Sequence, residues 1–156
     1  TVAHSILSFK GYPINLLTVH ISGGMSMLTR AREAAHAIKS KVIGVSLLTS
    51  LDQKDVEKVF FNDIRKVADN LFDLAKEANM DGIVCSAHEL KYARTNIPNL
   101  LKIVPGIRLS SDNDDQKRVM SPGEALKLGA NHLVIGRPIT ESRHPNAELE
   151  KIYETL

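Results

Sequence analysis

Two glycine–arginine groupings near the C-terminus carry the clearest chemistry in this sequence. Gly136-Arg137 follows the apolar run His132-Leu133-Val134-Ile135, and Gly106-Ile107-Arg108 follows Lys102-Ile103-Val104-Pro105. A glycine lets a ligand approach the backbone, because no Cβ stands in the way. An arginine offers a rigid fork of N–H donors that suits phosphate or carboxylate. Two such groupings, closing two successive apolar runs, predict an anionic ligand held at the ends of neighbouring strands. For Gly136-Arg137 the bland alternative is a tight turn with a surface arginine. For Arg108 it is a salt bridge to the acidic stretch with Asp112, Asp114 and Asp115.

Polar or glycine residues also follow the other apolar runs: His20-Ile21-Ser22-Gly23-Gly24, Leu48-Thr49-Ser50 and Ser86-Ala87-His88. The Thr49 hydroxyl suits a ligand contact, although capping the next turn is the commoner role. His20 suits a ligand or catalytic group, but reads first as a structural, hydrogen-bonded histidine. Gln116, in Asp114-Asp115-Gln116, reads as part of a solvated polar loop. Cys85 lies inside an apolar run and reads as an inert buried thiol. The six histidines form no close metal-binding pair. Gly23-Gly24 lacks the rest of a dinucleotide fingerprint, and no Walker sequence occurs. A general acid is harder to find. No Lys, Asp or Glu closes an apolar run, and Lys102 stands at the start of its own. The chain reads as a binding half without a chemical half.

These residues need elements to position them. Short Val/Ile/Leu runs at residues 14–20, 42–48, 82–86, 100–107 and 132–136 alternate with helical periodicity. Runs of that kind suit parallel strands covered on both faces. Met27, Leu28, Ala31, Ala34, Ala35 and Ile38 share one helix face, as do Ile64, Val67, Ala68, Leu71, Leu74, Ala75 and Ala78. Ser121-Pro122-Gly123-Glu124 predicts a capped helix start, and Gly129 its end. Ser86 with Glu89 repeats the capping-box spacing before a short helix through Ala93. Leu149, Ile152, Tyr153 and Leu156 predict the buried face of a last helix. The first segment, Thr1 to Phe9, is amphipathic, with Val2, Ile6 and Phe9 on one side. A chain without an initiator Met that opens inside a helix reads as a piece of a longer one. The order α-β-α-β-α-β-α-β-α-β-α means a parallel α/β fold. It fits an open doubly wound sheet or part of a (β/α)8 barrel, which as a whole takes roughly 200 residues or more. The 156 residues form one domain, 1–156.

Bulk properties exclude several classes. The net charge is +2, from 20 basic and 18 acidic residues, with no basic tract, so no nucleic-acid partner is expected. No run approaches the ~20 apolar residues of a membrane span, so no membrane partner is expected either. A single cysteine excludes an internal disulfide and fits a reducing cytoplasm.

Six motifs together resemble one family, the bacterial-type orotidine 5′-phosphate decarboxylases, over their C-terminal two-thirds. They are Leu17-Thr18-Val19-His20 with Ser22-Gly23-Gly24, Leu48-Thr49-Ser50, Asp81-Gly82-Ile83-Val84-Cys85-Ser86-Ala87-His88-Glu89, Val104-Pro105-Gly106-Ile107-Arg108, Asp114-Asp115-Gln116, and Val134-Ile135-Gly136-Arg137-Pro138-Ile139. The resemblance implies a (β/α)8 barrel, of which this chain carries about strands four to eight. It implies a cytoplasmic homodimer with a shared active site, decarboxylating orotidine 5′-monophosphate to UMP without a cofactor or metal. By that resemblance Gly136 and Arg137 hold the 5′-phosphate, Arg108 and Gln116 add further ligand contacts, and Thr49 touches the pyrimidine. Thr1 matches a threonine that reaches the neighbouring subunit's ligand. The family's catalytic Asp-x-Lys-x-x-Asp segment would lie just upstream of Thr1 and is absent from this sequence. Strands four to eight alone would leave two open sheet edges and an unfilled barrel interior.

Two other readings compete. A sugar-phosphate relative, of hexulose-phosphate synthase or ribulose-phosphate epimerase type, would share the terminal phosphate site; Pro-Gly-Ile-Arg and Asp-Asp-Gln argue against it. A short, non-catalytic nucleotide-binding protein would instead behave as a compact 156-residue monomer.

Overall fold

The five apolar runs form five strands in the computed structural model, which describes residues 1–108 and 120–156. They are β1 (Leu16–His20), β2 (Lys41–Val45), β3 (Gly82–Val84), β4 (Leu101–Pro105) and β5 (His132–Val134). All pair in parallel, in chain order, from β1 at one edge to β5 at the other. The helices are α1 (Val2–Leu7), α2 (Met25–Ala37), α3 (Gln53–Phe60), α4 (Ile64–Glu77), α5 (Leu90–Asn96), α6 (Pro122–Lys127), α7 (Arg137–Thr140) and α8 (Pro145–Glu154). The alternating pattern thus yields the expected parallel α/β sheet. Two helices escape the periodicity reading. α3 is announced only by its capping box, Asp52 with Asp55, and α7 by Gly136 before Pro138.

The expectation of strands covered on both faces fails. Alternate residues of a strand point to opposite faces, and registered neighbours share one. Leu17, Val19, Val42, Ile83, Cys85 and Val104 face one way and pack into the core with Leu28, Ala31, Leu71, Phe72, Ala75 and Leu90 from the helices. The other face carries Thr18, His20, Val45, Val84, His132 and Val134, all half-buried or exposed. Apart from Gly82, which has no side chain, only Ile43 and Ile103 are buried there. A one-sided sheet with two free edges is what an arc of a barrel wall looks like without the rest of the ring.

Both chain ends depart from the sequence reading for the same reason. In α1 only Ile6 is buried, while Val2 and Phe9 are exposed. In α8 only Ile152 is buried, and Tyr153 and Leu156 remain 65% and 58% exposed. Tyr153 and Leu156 line an apolar groove of about 400 Å³ beside the free β5 edge, together with Leu133, Ile139 and Ile152. Their apolar spacing is real, but no described residue covers it.

Three of the helix-to-strand turns are built alike. After α2, α4 and α6 the chain turns through a left-handed residue: Lys39 (φ 62°), Asn79 (φ 51°) and Gly129 (φ 107°). Each turn closes with the same two bonds. Ser40, Met80 and Ala130 donate N–H to Ala35, Ala75 and Ala125 at 2.9–3.0 Å, and the left-handed residues donate to His36, Lys76 and Leu126 at 2.9–3.0 Å. This satisfies the orphan carbonyls of the helix ends. The turn from α5 differs, because Pro98 follows Ile97 and keeps it out of the helical region, at φ −132° and ψ 58°.

Two side chains then pin the strand starts. Asp81 donates its N–H to the Val42 carbonyl at 3.2 Å, and its Oδ2 accepts from the Val42 N–H at 2.8 Å. Asn131 repeats this around Lys102, with both bonds at 2.8 Å. Asp81 also binds His36 Nε2 at 2.9 Å.

Candidate functional site

The opposite ends of the strands are built differently. After β5, Gly136 takes φ −101° and ψ −96°, and Arg137 begins α7. A Cβ built on Gly136 would meet nothing within 4 Å, so the backbone there borders open space. Ile139 and Thr140 donate back to the Gly136 carbonyl at 2.9 and 3.0 Å. The N–H groups of Gly136 and Arg137 find no acceptor among the described residues, and neither does the exposed Arg137 guanidinium. A cluster of unengaged donors around open backbone is a site for an anion.

After β4, Gly106 adopts φ +77°, a conformation that strains any residue with a Cβ, and it too borders open space. Pro105 registers with Val134, so Arg108 and Arg137 each lie three residues past the last paired position of adjacent strands. Ile107 is buried and fixes this turn. The Arg108 N–H donates to Met120 across the intervening segment at 3.3 Å, so the base of the loop is closed. Gln116 and the acidic residues near it lie outside the described residues.

Thr49 stands exposed in the turn after β2. Its hydroxyl is not a cap: the capping carboxylate of α3 is Asp52, which accepts from the Asp55 N–H at 2.9 Å. Thr1 precedes α1 and lines a groove of about 430 Å³ with His4, Gly23, Ser26 and Arg30. That groove opens beside the turn that follows β1. The structure therefore sets Gly136, Arg137 and Arg108 at adjacent strand ends. Thr49 lies two strands away from β4, and Thr1 lies by the β1 end.

His20 departs from its structural reading. It is the last residue of β1, exposed on the open face, and hydrogen-bonds to no described residue. The histidine that does have a structural partner is His36, through Asp81. Cys85 matches its reading: it is buried, and burial pushes its thiol pKa up to about 12. Lys102 is buried on the helix-covered face, where its Nζ donates to the Pro98 carbonyl at 2.8 Å. Burial lowers its pKa, but it faces away from the strand ends and their open turns. An Asp-x-Lys-x-x-Glu spacing occurs at Asp52, Lys54 and Glu57. There Asp52 is engaged as a cap and Glu57 by Gln53 Nε2 at 2.6 Å, so both carboxylates of this spacing serve the helix itself. Among the described residues no group of three metal-ligating side chains converges.

Parallel strands, helices on one face, and an open, donor-rich rim at the strand C-termini define an arc of a β/α barrel whose rim suits an anion. A protein-family model, "Orotidine 5′-phosphate decarboxylase / HUMPS family", matches residues 1–152, and the chain belongs to that family. It is 43% identical to orotidine 5′-phosphate decarboxylase from Ehrlichia chaffeensis, covering 97% of this chain and 67% of that protein. It is 42% identical to the protein of the same name from Wigglesworthia glossinidia brevipalpis, over 100% of this chain and 69% of the relative. The crystal structure of the decarboxylase from Lactobacillus acidophilus superposes with a TM-score of 0.83 at 29% identity, covering 99% of this chain and 68% of the other. The chain thus spans about two-thirds of the length of the relatives it matches, and its sheet is an incomplete barrel. No helix among the described residues is long and apolar enough to cross a membrane.

Proposed function

We propose that this chain forms the nucleotide-holding part of an orotidine 5′-phosphate decarboxylase, a carboxy-lyase of pyrimidine biosynthesis. The reaction breaks the bond between a pyrimidine carbon and its carboxylate, releases CO2 and leaves UMP once that carbon is protonated. The observation that carries the reading is the paired rim of β4 and β5. The open Gly136 backbone, the unengaged N–H groups and the Arg137 guanidinium suit the 5′-phosphate. Arg108 and Gln116 add contacts from the segment after β4, and Thr49 meets the pyrimidine. Binding energy from a remote phosphate accelerates chemistry only when it is realised in the transition state. The rim therefore works for the chemical groups, a proton-donating Lys among carboxylates, that the Asp-x-Lys-x-x-Asp segment supplies in this family. The enzyme is a cytoplasmic homodimer in this reading, with Thr1 reaching toward the partner's ligand.

Calorimetric titration of this chain tests the assignment. UMP should bind more tightly than ribose 5-phosphate, because both offer the phosphate and only UMP offers the base. Equal affinity for the two would favour a sugar-phosphate relative.

A further inference from the structure

The open face of the sheet is apolar at its strand C-termini except at one place. Val45, Val84, Pro105 and Val134 are the last residues of β2 to β5. Each points to the uncovered face in register with its neighbours or two residues on from one that does. His20 ends β1 on the same face, registered with Val45. Its position is fixed from below and beside. The next residue, Ile21, is fully buried, and the following turn is closed by the Gly24 N–H donating to the Ile21 carbonyl at 3.1 Å. A Cβ on Gly44 would meet Ile21 Cγ1 at 2.6 Å, so the strand has left room for this anchor. An imidazole on a fixed strand end, with no hydrogen-bond partner among the described residues and apolar strand ends beside it, is an unused donor–acceptor pair.

Resting on the decarboxylase reading above, we infer that His20 contacts the pyrimidine end of the bound nucleotide and distinguishes a base-bearing phosphate from a bare sugar phosphate. The phosphate rim lies at β4 and β5, and β1 is the far edge of the sheet order. Laid flat, four strand steps of about 4.8 Å exceed a nucleotide's length. In an eight-stranded β/α barrel the wall curves around an interior filled by side chains, and a ligand lies across the rim of strand C-termini; that curvature brings the β1 rim opposite the β5 rim. A nucleotide gripped by its phosphate at β5 then extends its base toward β1 and β2, where Thr49 also lies. The apolar rim residues can pack against the ring. The imidazole, with one donor and one acceptor when neutral, complements the N–H and C=O groups on a pyrimidine edge.

The test uses the full 156-residue chain and three probes: UMP, ribose 5-phosphate and inorganic phosphate. His20→Ala should raise the Kd for UMP about tenfold, the size of one lost hydrogen bond to a buried ligand group. It should leave the Kd for the other two probes within about twofold. The exposed side chain should be removable without lowering the melting temperature. In ¹H–¹⁵N spectra of the unaltered chain, the His20 ring resonances should shift with UMP and not with ribose 5-phosphate. Unchanged UMP affinity in His20→Ala, or equal weakening of UMP and ribose 5-phosphate, overturns this inference and leaves the decarboxylase reading standing. An unaltered chain that binds UMP no better than ribose 5-phosphate overturns both.

Discussion

The two ends of the strands differ in how completely their polar groups are used. At the N-terminal ends, three matching turns each close the same two backbone bonds, and Asp81 and Asn131 each bracket a residue of the strand beside the one they precede. At the C-terminal ends, the N–H groups of Gly136 and Arg137 and the side chains of Arg137, Thr49 and His20 are engaged by no described residue. One end has these hydrogen bonds satisfied within the chain, and the other leaves groups open, as the proposed ligand site requires. The same βα unit can therefore hold stability and binding apart, so that changes at one end need not disturb the other.

The largest expected effect breaks this separation from the ligand side. Arg137→Ala should weaken UMP binding about a hundredfold, because a bidentate, charge-assisted phosphate contact is worth about 2–3 kcal/mol. Its melting temperature should stay with that of the unaltered chain. A fall in melting temperature equal to the loss in affinity would mean that the rim is structural. From the other end, Asp81→Ala leaves the buried Val42 N–H without its acceptor and His36 without its partner. Chemical denaturation should show a loss of about 2 kcal/mol, while the Kd for UMP measured below the transition should hold.

The smallest effects sharpen the comparison within the turns themselves. Lys39 and Asn79 adopt a left-handed conformation that glycine tolerates better. Lys39→Gly and Asn79→Gly should each be neutral or stabilising by up to about 1 kcal/mol. Gly129→Ala, at φ 107° with Arg94 Cδ 3.4 Å from the new Cβ, should cost about 1 kcal/mol or more. If all three substitutions moved stability in one direction, the turns would not be equivalent.

Much of this was legible in the sequence, for identifiable reasons. β-branched runs separated by helical periodicity mark parallel strands. The Ser121 capping box is local chemistry, readable from four residues, and forms as expected. The Gly-Arg rim was readable because glycine and arginine have few reasons to recur together at strand ends. What failed depended on neighbours. Val2, Phe9, Leu149, Tyr153 and Leu156 have the spacing of buried positions, but burial needs a partner surface, and periodicity does not say which element supplies it. The strands look two-sided in the sequence because both their faces are apolar, although helices cover only one. α3 is polar apart from Val56 and two exposed or half-buried apolar residues, Val59 and Phe60, so its periodic signal is weak. The left-handed Lys39 is invisible because lysine carries no turn preference; it is held there by the bonds of Ser40 and Lys39 to α2.

The three matching turns have a consequence for how this sheet can be rebuilt. Each is a six-residue joint, from Ala35 to Ser40, from Ala75 to Met80 and from Ala125 to Ala130, and the two backbone bonds that make the turn begin and end inside it. The turn geometry is thus common to all three, while side-chain ties such as Ser40 Oγ to the Ile14 carbonyl at 2.6 Å and His36 to Asp81 at 2.9 Å fit each to its place, so the backbone of the joint is the interchangeable part. Exchanging one for another should leave strand order and spacing intact, and would mark the places where units of this wall can be transplanted into a related barrel.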